Sequence, residues 1–121
     1  MNKFEKLQRL LTELKEEKAV KIVEGNKDKK ALERLGIKNI ITLQGKPVQD
    51  KIKELKHKAI ILTDYDRKGR ELEKRLKEAL ISQGIIPNLE YKKELKKLTG
   101  ITQIEELFQK YEKMKEEAQR C

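Results

Sequence analysis

Glu24 closes one apolar run, Ala19 to Val23, and some forty residues later Asp64 and Asp66 close another, Ala59 to Thr63. Along an extended chain alternate residues share a side, which points Asp64 and Asp66 together and Tyr65 away. Two anions then converge on one point. If the two runs are neighbouring strands, Glu24 and Asp64 lie about 5 Å apart, and at an effective dielectric near 20 each like-charged pair costs roughly 3 kcal/mol. A divalent cation reverses the sign of that term. A donor set of carboxylates with no histidine or cysteine nearby favours Mg²⁺ or Mn²⁺ over zinc. Two of the four aspartates in the chain (Asp28, Asp50, Asp64 and Asp66) fall in this pair, although the sequence otherwise prefers glutamate. A purely structural alternative has Asp66 capping the following helix, Asp64 making a turn bond and Glu24 solvated.

The elements that must position these groups alternate along the chain. Asn2 to Lys18 carries an apolar stripe at Phe4, Leu7, Leu10, Leu11 and Leu14, an amphipathic helix packed on the domain. A first strand, Ala19 to Val23, leads through Glu24-Gly25 to a helix capped by Asn26 and stopped at Gly36. Asn39 to Leu43 is a second strand, followed by a Gly45-Lys46-Pro47 break and a helix burying Val48, Ile52 and Leu55. The third strand is Ala59 to Thr63, and a long helix from Asp66 to Gln83 turns Leu72, Leu76, Ala79 and Leu80 inward. Ile85 to Tyr91 contains Pro87, which lacks a ladder donor and belongs at a sheet edge. A short helix around Glu94 to Leu98 follows. Then comes a last helix with a capping-box pattern at Thr102 to Glu105 and a stripe of Ile104, Leu107, Phe108, Tyr111 and Met114. This alternation implies a parallel sheet with right-handed crossovers and helices on both faces. An order 2-1-3-4 brings the two acidic strand ends side by side, at the edge where open α/β sheets bind ligands.

With 121 residues the chain is one domain, divided here into an N-terminal helix (1–18), a core (19–91) and a C-terminal helical extension (92–121). The net charge of +9 attracts polyanions through the summed field, though most lysines read as solvated helix faces. The excess of Lys and Glu over Arg and Asp is a thermostable bias. Cys121 is the single cysteine, so no internal disulfide forms, and a cytoplasmic location fits. No run approaches a membrane span or a signal-peptide core.

Taken together, IVEGNKDKKAL and IILTDYDRKG resemble the Toprim domain, shared by topoisomerases, bacterial-type primases, overcoming-lysogeny nucleases, recombination mediators and a small ribosomal RNA maturase. The resemblance covers Ala19 to about Leu89 and is closest to small stand-alone members. It implies a three-layer, Rossmann-like Toprim fold with a four-stranded parallel sheet. It also implies that Asp64 and Asp66 hold Mg²⁺, with Mn²⁺ as substitute, and that Glu24 acts as metal ligand or acid/base. Gly25, Asp28 and Gly69 are supporting positions. The expected activity is metal-dependent phosphodiester chemistry on RNA or DNA, nuclease-like or nucleotidyl-transferring, with a protein partner supplying what topoisomerases and primases take from other domains. Lys27, Lys29, Lys30, Arg67, Lys68 and Arg70 flank both turns and suit substrate phosphates.

Three rival readings remain. One is a non-catalytic nucleic-acid-binding or scaffold module. Another is a haloacid-dehalogenase-type phosphatase, whose Asp-x-Asp normally follows the first strand rather than the third. The last is a receiver domain, whose acidic pair also ends the first strand. His57 precedes the third strand, at the far end of the sheet from the acids, and Tyr65 reads as a packed or hydrogen-bonded side chain.

Overall fold

The computed structural model describes residues 1–45 and 47–120. Lys46, the middle of the expected Gly45-Lys46-Pro47 break, and Cys121 lie outside the described residues. In chain order the elements are α1 (Lys3–Glu16), β1 (Val20–Val23), α2 (Asn26–Arg34), β2 (Ile40–Thr42), α3 (Val48–Ile52), β3 (Lys58–Ile61), α4 (Arg67–Ser82), β4 (Ile86–Asn88), α5 (Glu90–Thr99), a 3-10 turn (Ile104–Glu106) and α6 (Leu107–Gln119). The strands form one parallel sheet in the order β2-β1-β3-β4. Pro87 sits on the edge strand β4, where its missing N–H breaks no interior ladder.

Period-two alternation divides the core between the two faces of the sheet. Ile60 and Leu62 join Leu7, Leu11 and Leu14 of α1 with Leu95 and Leu107 on one face. Ala59 and Ile61 join Ile52 of α3 with Leu76 and Leu80 of α4 on the other. Central strands buried on both sides are what the unbroken run AIIL encodes. One charge is nevertheless built into β1: Lys21 is 1% exposed, and its ammonium donates to the Glu17 carbonyl, burial pushing it below the ordinary lysine range. Among the described residues no helix is long and apolar enough to cross a membrane.

Several boundaries depart from the pattern-based expectation, each for a local reason. α2 is capped by Gly25 rather than Asn26, with Asp28 reaching back to accept from the Gly25 N–H at 3.1 Å. α5 starts at Glu90, four residues earlier than expected, because the Asn88 side chain accepts from the Glu90 N–H at 2.9 Å. α3 ends at Ile52 and leaves Leu55 beyond it. The C-terminal cap is shifted by one residue. Gln103 precedes the 3-10 turn, and Glu106 rather than Glu105 accepts its N–H, at 2.7 Å. Most relevant to the site, β3 stops at Ile61, so Asp64 to Asp66 lies beyond the strand, and Asp66 is already the N-cap of α4.

Candidate carboxylate site

The sheet order places the ends of β1 and β3 together, and Glu24 spans the gap. Its Oε2 accepts from the Asp64 backbone N–H at 2.8 Å. Asp64 in turn accepts, through Oδ1, from the backbone N–H of Ile104 at 2.7 Å. Glu24, Asp28, Asp64 and Glu105 line a single cleft of about 660 Å³, together with Gly25, Lys27 and Lys68. Asp28 is 6% exposed there, although it is charged.

The electrostatics record the crowding. Burial pushes the Asp64 carboxyl up to about 6, the Ile104 N–H partly opposes that, and the charges of Asp28, Glu24 and Asp66 add to it. Asp28 is raised as well, first by burial, then by Glu24 and Glu105, against the backbone donors of Gly25 and Glu105. Burial is the first cause for both groups, and the neighbouring carboxylates add to it.

Asp66 behaves differently. It is exposed, absent from the cleft lining, and spends Oδ1 as the N-cap of α4 on the Gly69 N–H at 2.7 Å. The structure thus brings Glu24, Asp28 and Asp64 to one cleft and leaves Asp66 at its margin. Of the basic residues, Lys27 and Lys68 reach the cleft, whereas Arg67 pairs with Glu71 at 3.3 Å; Lys30 and Arg70 are exposed and Lys29 is half-buried. Among the described residues no three carboxylate, imidazole or thiolate groups stand close enough to share an ion. The donor chemistry still fits Mg²⁺, which keeps several waters and is usually bound through one or two carboxylates.

The loop carrying Asp64 is held from below by a group that sequence reasoning passed over. Lys92, 4% exposed, donates to Thr63 Oγ1 at 2.9 Å and to Glu73 Oε1 at 2.6 Å. Thr63 Oγ1 donates onward to the Gly69 carbonyl at 2.9 Å, and the Tyr65 hydroxyl donates to the Lys92 carbonyl at 2.6 Å. Tyr65 is therefore a hydrogen-bonded packing residue, its phenol pushed upward by burial. Lys92→Ala leaves Thr63 and Glu73 short of a donor and is expected to lower stability by about 2 kcal/mol. Urea unfolding checks this, and a change below about 0.5 kcal/mol, typical of a surface site, would show that the lysine holds nothing. Glu105 is the other missed residue. Its signal was its place two residues before Leu107, at the start of the last apolar stripe, but nothing local indicated which strand end that start would meet.

A roomier hollow of about 910 Å³ lies at the opposite end of the sheet, lined among others by Glu17, His57 and Lys58. Its glutamates are more nearly balanced, by Lys18, Lys56 and Lys58, and Glu17 already pairs with Lys58 at 3.3 Å.

Comparison with known proteins identifies the family. The Toprim domain matches residues 19–98. A UPF0292 protein of Methanocaldococcus jannaschii is 39% identical, over 87% of this chain and 89% of its own. One from Archaeoglobus fulgidus is also 39% identical, over 86% and 88%. A solved structure of a protein from Aquifex aeolicus shares 40% identity and superposes with a TM-score of 0.77, covering 83% of this chain and 96% of that one. A glutamate and an aspartate from adjacent strand ends of a 2-1-3-4 sheet, within a match of this extent, mean that the chain belongs to the Toprim domain family, with UPF0292 proteins as its relatives.

Proposed function

We propose that the chain performs Mg²⁺-dependent phosphodiester chemistry on nucleic acid, with Glu24 and Asp64 at its centre and Asp28 and Asp66 contributing charge. At the level of the superfamily, the Toprim domain goes with nucleic-acid-related function and metal binding. The observation that carries the finer reading is the junction of Glu24 with the Asp64 backbone, in a cleft that also holds Lys27 and Lys68.

Asp64 would hold the ion, with Glu24 as a second ligand or as the acid/base, and Asp66 would add charge from the margin of the cleft. When bound, Mg²⁺ supplies Lewis-acid stabilisation of charge on phosphodiester oxygens. The chain's own residues do the rest. Glu24 accepts a proton from water or a hydroxyl, or returns one to a leaving oxygen. Lys27 and Lys68 bring positive charge to a substrate backbone, as do Lys29, Lys30, Arg67 and Arg70 outside the cleft.

The direct test incubates end-labelled RNA and single- and double-stranded DNA with the protein in Mg²⁺ or Mn²⁺, against EDTA controls. Metal-dependent cleavage or transfer supports the enzyme. Binding without turnover in either metal favours the second reading, a nucleic-acid-binding module, which the diversion of Asp66 into a helix cap supports.

Either reading predicts a salt-dependent complex. Replacing both Lys27 and Lys68 with alanine should reduce the slope of log K against log salt by about 2. Because both side chains are exposed, stability should stay within about 0.5 kcal/mol. Filter binding across a salt series reads the slope, and an unchanged slope would place the nucleic acid elsewhere.

A further inference from the structure

We infer that the turn from Thr102 to Glu106 is a positioning element of the carboxylate site, and that Glu106 is the residue that sets it; the inference rests on the reading of Asp64 given above. The turn grips the Asp64 loop twice. The Ile104 N–H donates to Asp64 Oδ1 at 2.7 Å, and the Tyr65 N–H donates to the Thr102 carbonyl at 2.9 Å. Fixing one oxygen of a carboxyl group fixes the direction in which the other is presented.

The turn owes its shape to Glu106. Its Oε1 accepts from the Thr102 N–H at 3.1 Å, the Thr102 hydroxyl at 2.9 Å and the Gln103 N–H at 2.7 Å. Ile101 and Ile104, both buried, anchor the turn in the core on either side of these bonds. Glu106 itself is exposed and does not line the cleft, so it acts only through the backbone it holds. The turn also lies beyond the matched residues 19–98. The acidic site of this chain is thus completed by its own C-terminal segment. Partners that orient ligating groups are typically worth 10- to 100-fold in metal affinity or activity (roughly).

The test compares full-length Glu106→Ala and Glu106→Gln with the parent chain. Amide hydrogen exchange at Tyr65 and Ile104 is measured without metal, and Mn²⁺ affinity by calorimetry. Glu106→Ala should exchange these two amides at least about tenfold faster, since local opening is governed by the contacts that close the segment. Its Mn²⁺ dissociation constant should rise about tenfold. Glu106→Gln keeps an acceptor oxygen and should recover most of both effects. Parent-like protection of the two amides in Glu106→Ala overturns the inference. So does loss of protection spread evenly over β1 and β3, which would make Glu106 a cap and no more. Absence of Mn²⁺ uptake by the parent chain would remove the metal reading of the site, while the exchange measurement decides the clamp without it.

Discussion

Gly69→Ala is expected to be among the most damaging single-methyl changes the chain can suffer. Gly69 is buried in the first turn of α4, and a Cβ there would stand 2.0 Å from the carbonyl oxygen of Asp64 and 2.5 Å from its carbonyl carbon. Both are backbone atoms, so no side chain can swing aside to relieve the clash. The glycine is also tied in place, donating to Asp66 Oδ1 and accepting from Thr63 Oγ1. Moving it means moving the Asp64 loop and with it the contacts to Glu24 and Ile104. Overpacking of this kind costs about 3 kcal/mol or more, equivalent to a fall of roughly 10 °C in melting temperature for a domain of this size. Gly25 is the built-in control. An added Cβ there meets nothing closer than Gln44 Oε1 at 3.9 Å, so Gly25→Ala should cost no more than about 1 kcal/mol, through a poorer helix cap. Thermal melts of the two variants side by side check the contrast, and equal melting temperatures would refute the close approach.

The same loop shows what the sequence could and could not convey. Sheet order was legible because alternating apolar runs and amphipathic helices allow few topologies, and because a winding reversal beside β1 joins the two acidic strand ends. The pairing of Asp64 with Asp66 was argued from strand alternation. β3, however, ends at Ile61, and Asp66, though still extended, is already the N-cap of α4. Lys92 was hidden among the lysines of α5, although it stands three residues before Leu95 and seven before Thr99, on the buried face of that helix. That spacing was available and was outweighed by the general expectation that lysines face solvent. The grip of Ile104 on Asp64 had no such signal. A backbone donor leaves no residue type to read, and its partner lies forty residues away.

Asp64→Asn should separate function from stability, because it removes charge while leaving the local bonds intact. The bond from the Asp64 N–H to Glu24 is a backbone donor and survives, and the amide Oδ1 can still accept from Ile104. What disappears is the cost of ionising a carboxyl pushed from 3.8 up to about 6. Between those two values the folded chain binds a proton that the unfolded chain has released, so this group's contribution falls as pH rises through the window. Above it the full cost stands, and below 3.8 it vanishes. With solvent screening of a half-buried group, that cost comes to about 1 kcal/mol. The asparagine variant should therefore be more stable than the parent by that amount near ~pH 8, and the difference should close near ~pH 4. Metal uptake and turnover should move the other way, falling on the order of 100-fold or more if several kcal/mol of charge stabilisation depend on this ligand. Urea midpoints at the two pH values and Mn²⁺ titration of both proteins provide the measurement. A variant that is less stable near ~pH 8 would mean that the carboxylate is compensated within the protein, leaving no electrostatic reason for a cation. One that gains stability and still turns over nucleic acid would move the chemistry to another group. Gain and loss together are what a site produces when its charge is kept, against the interest of the fold, for a ligand that arrives later.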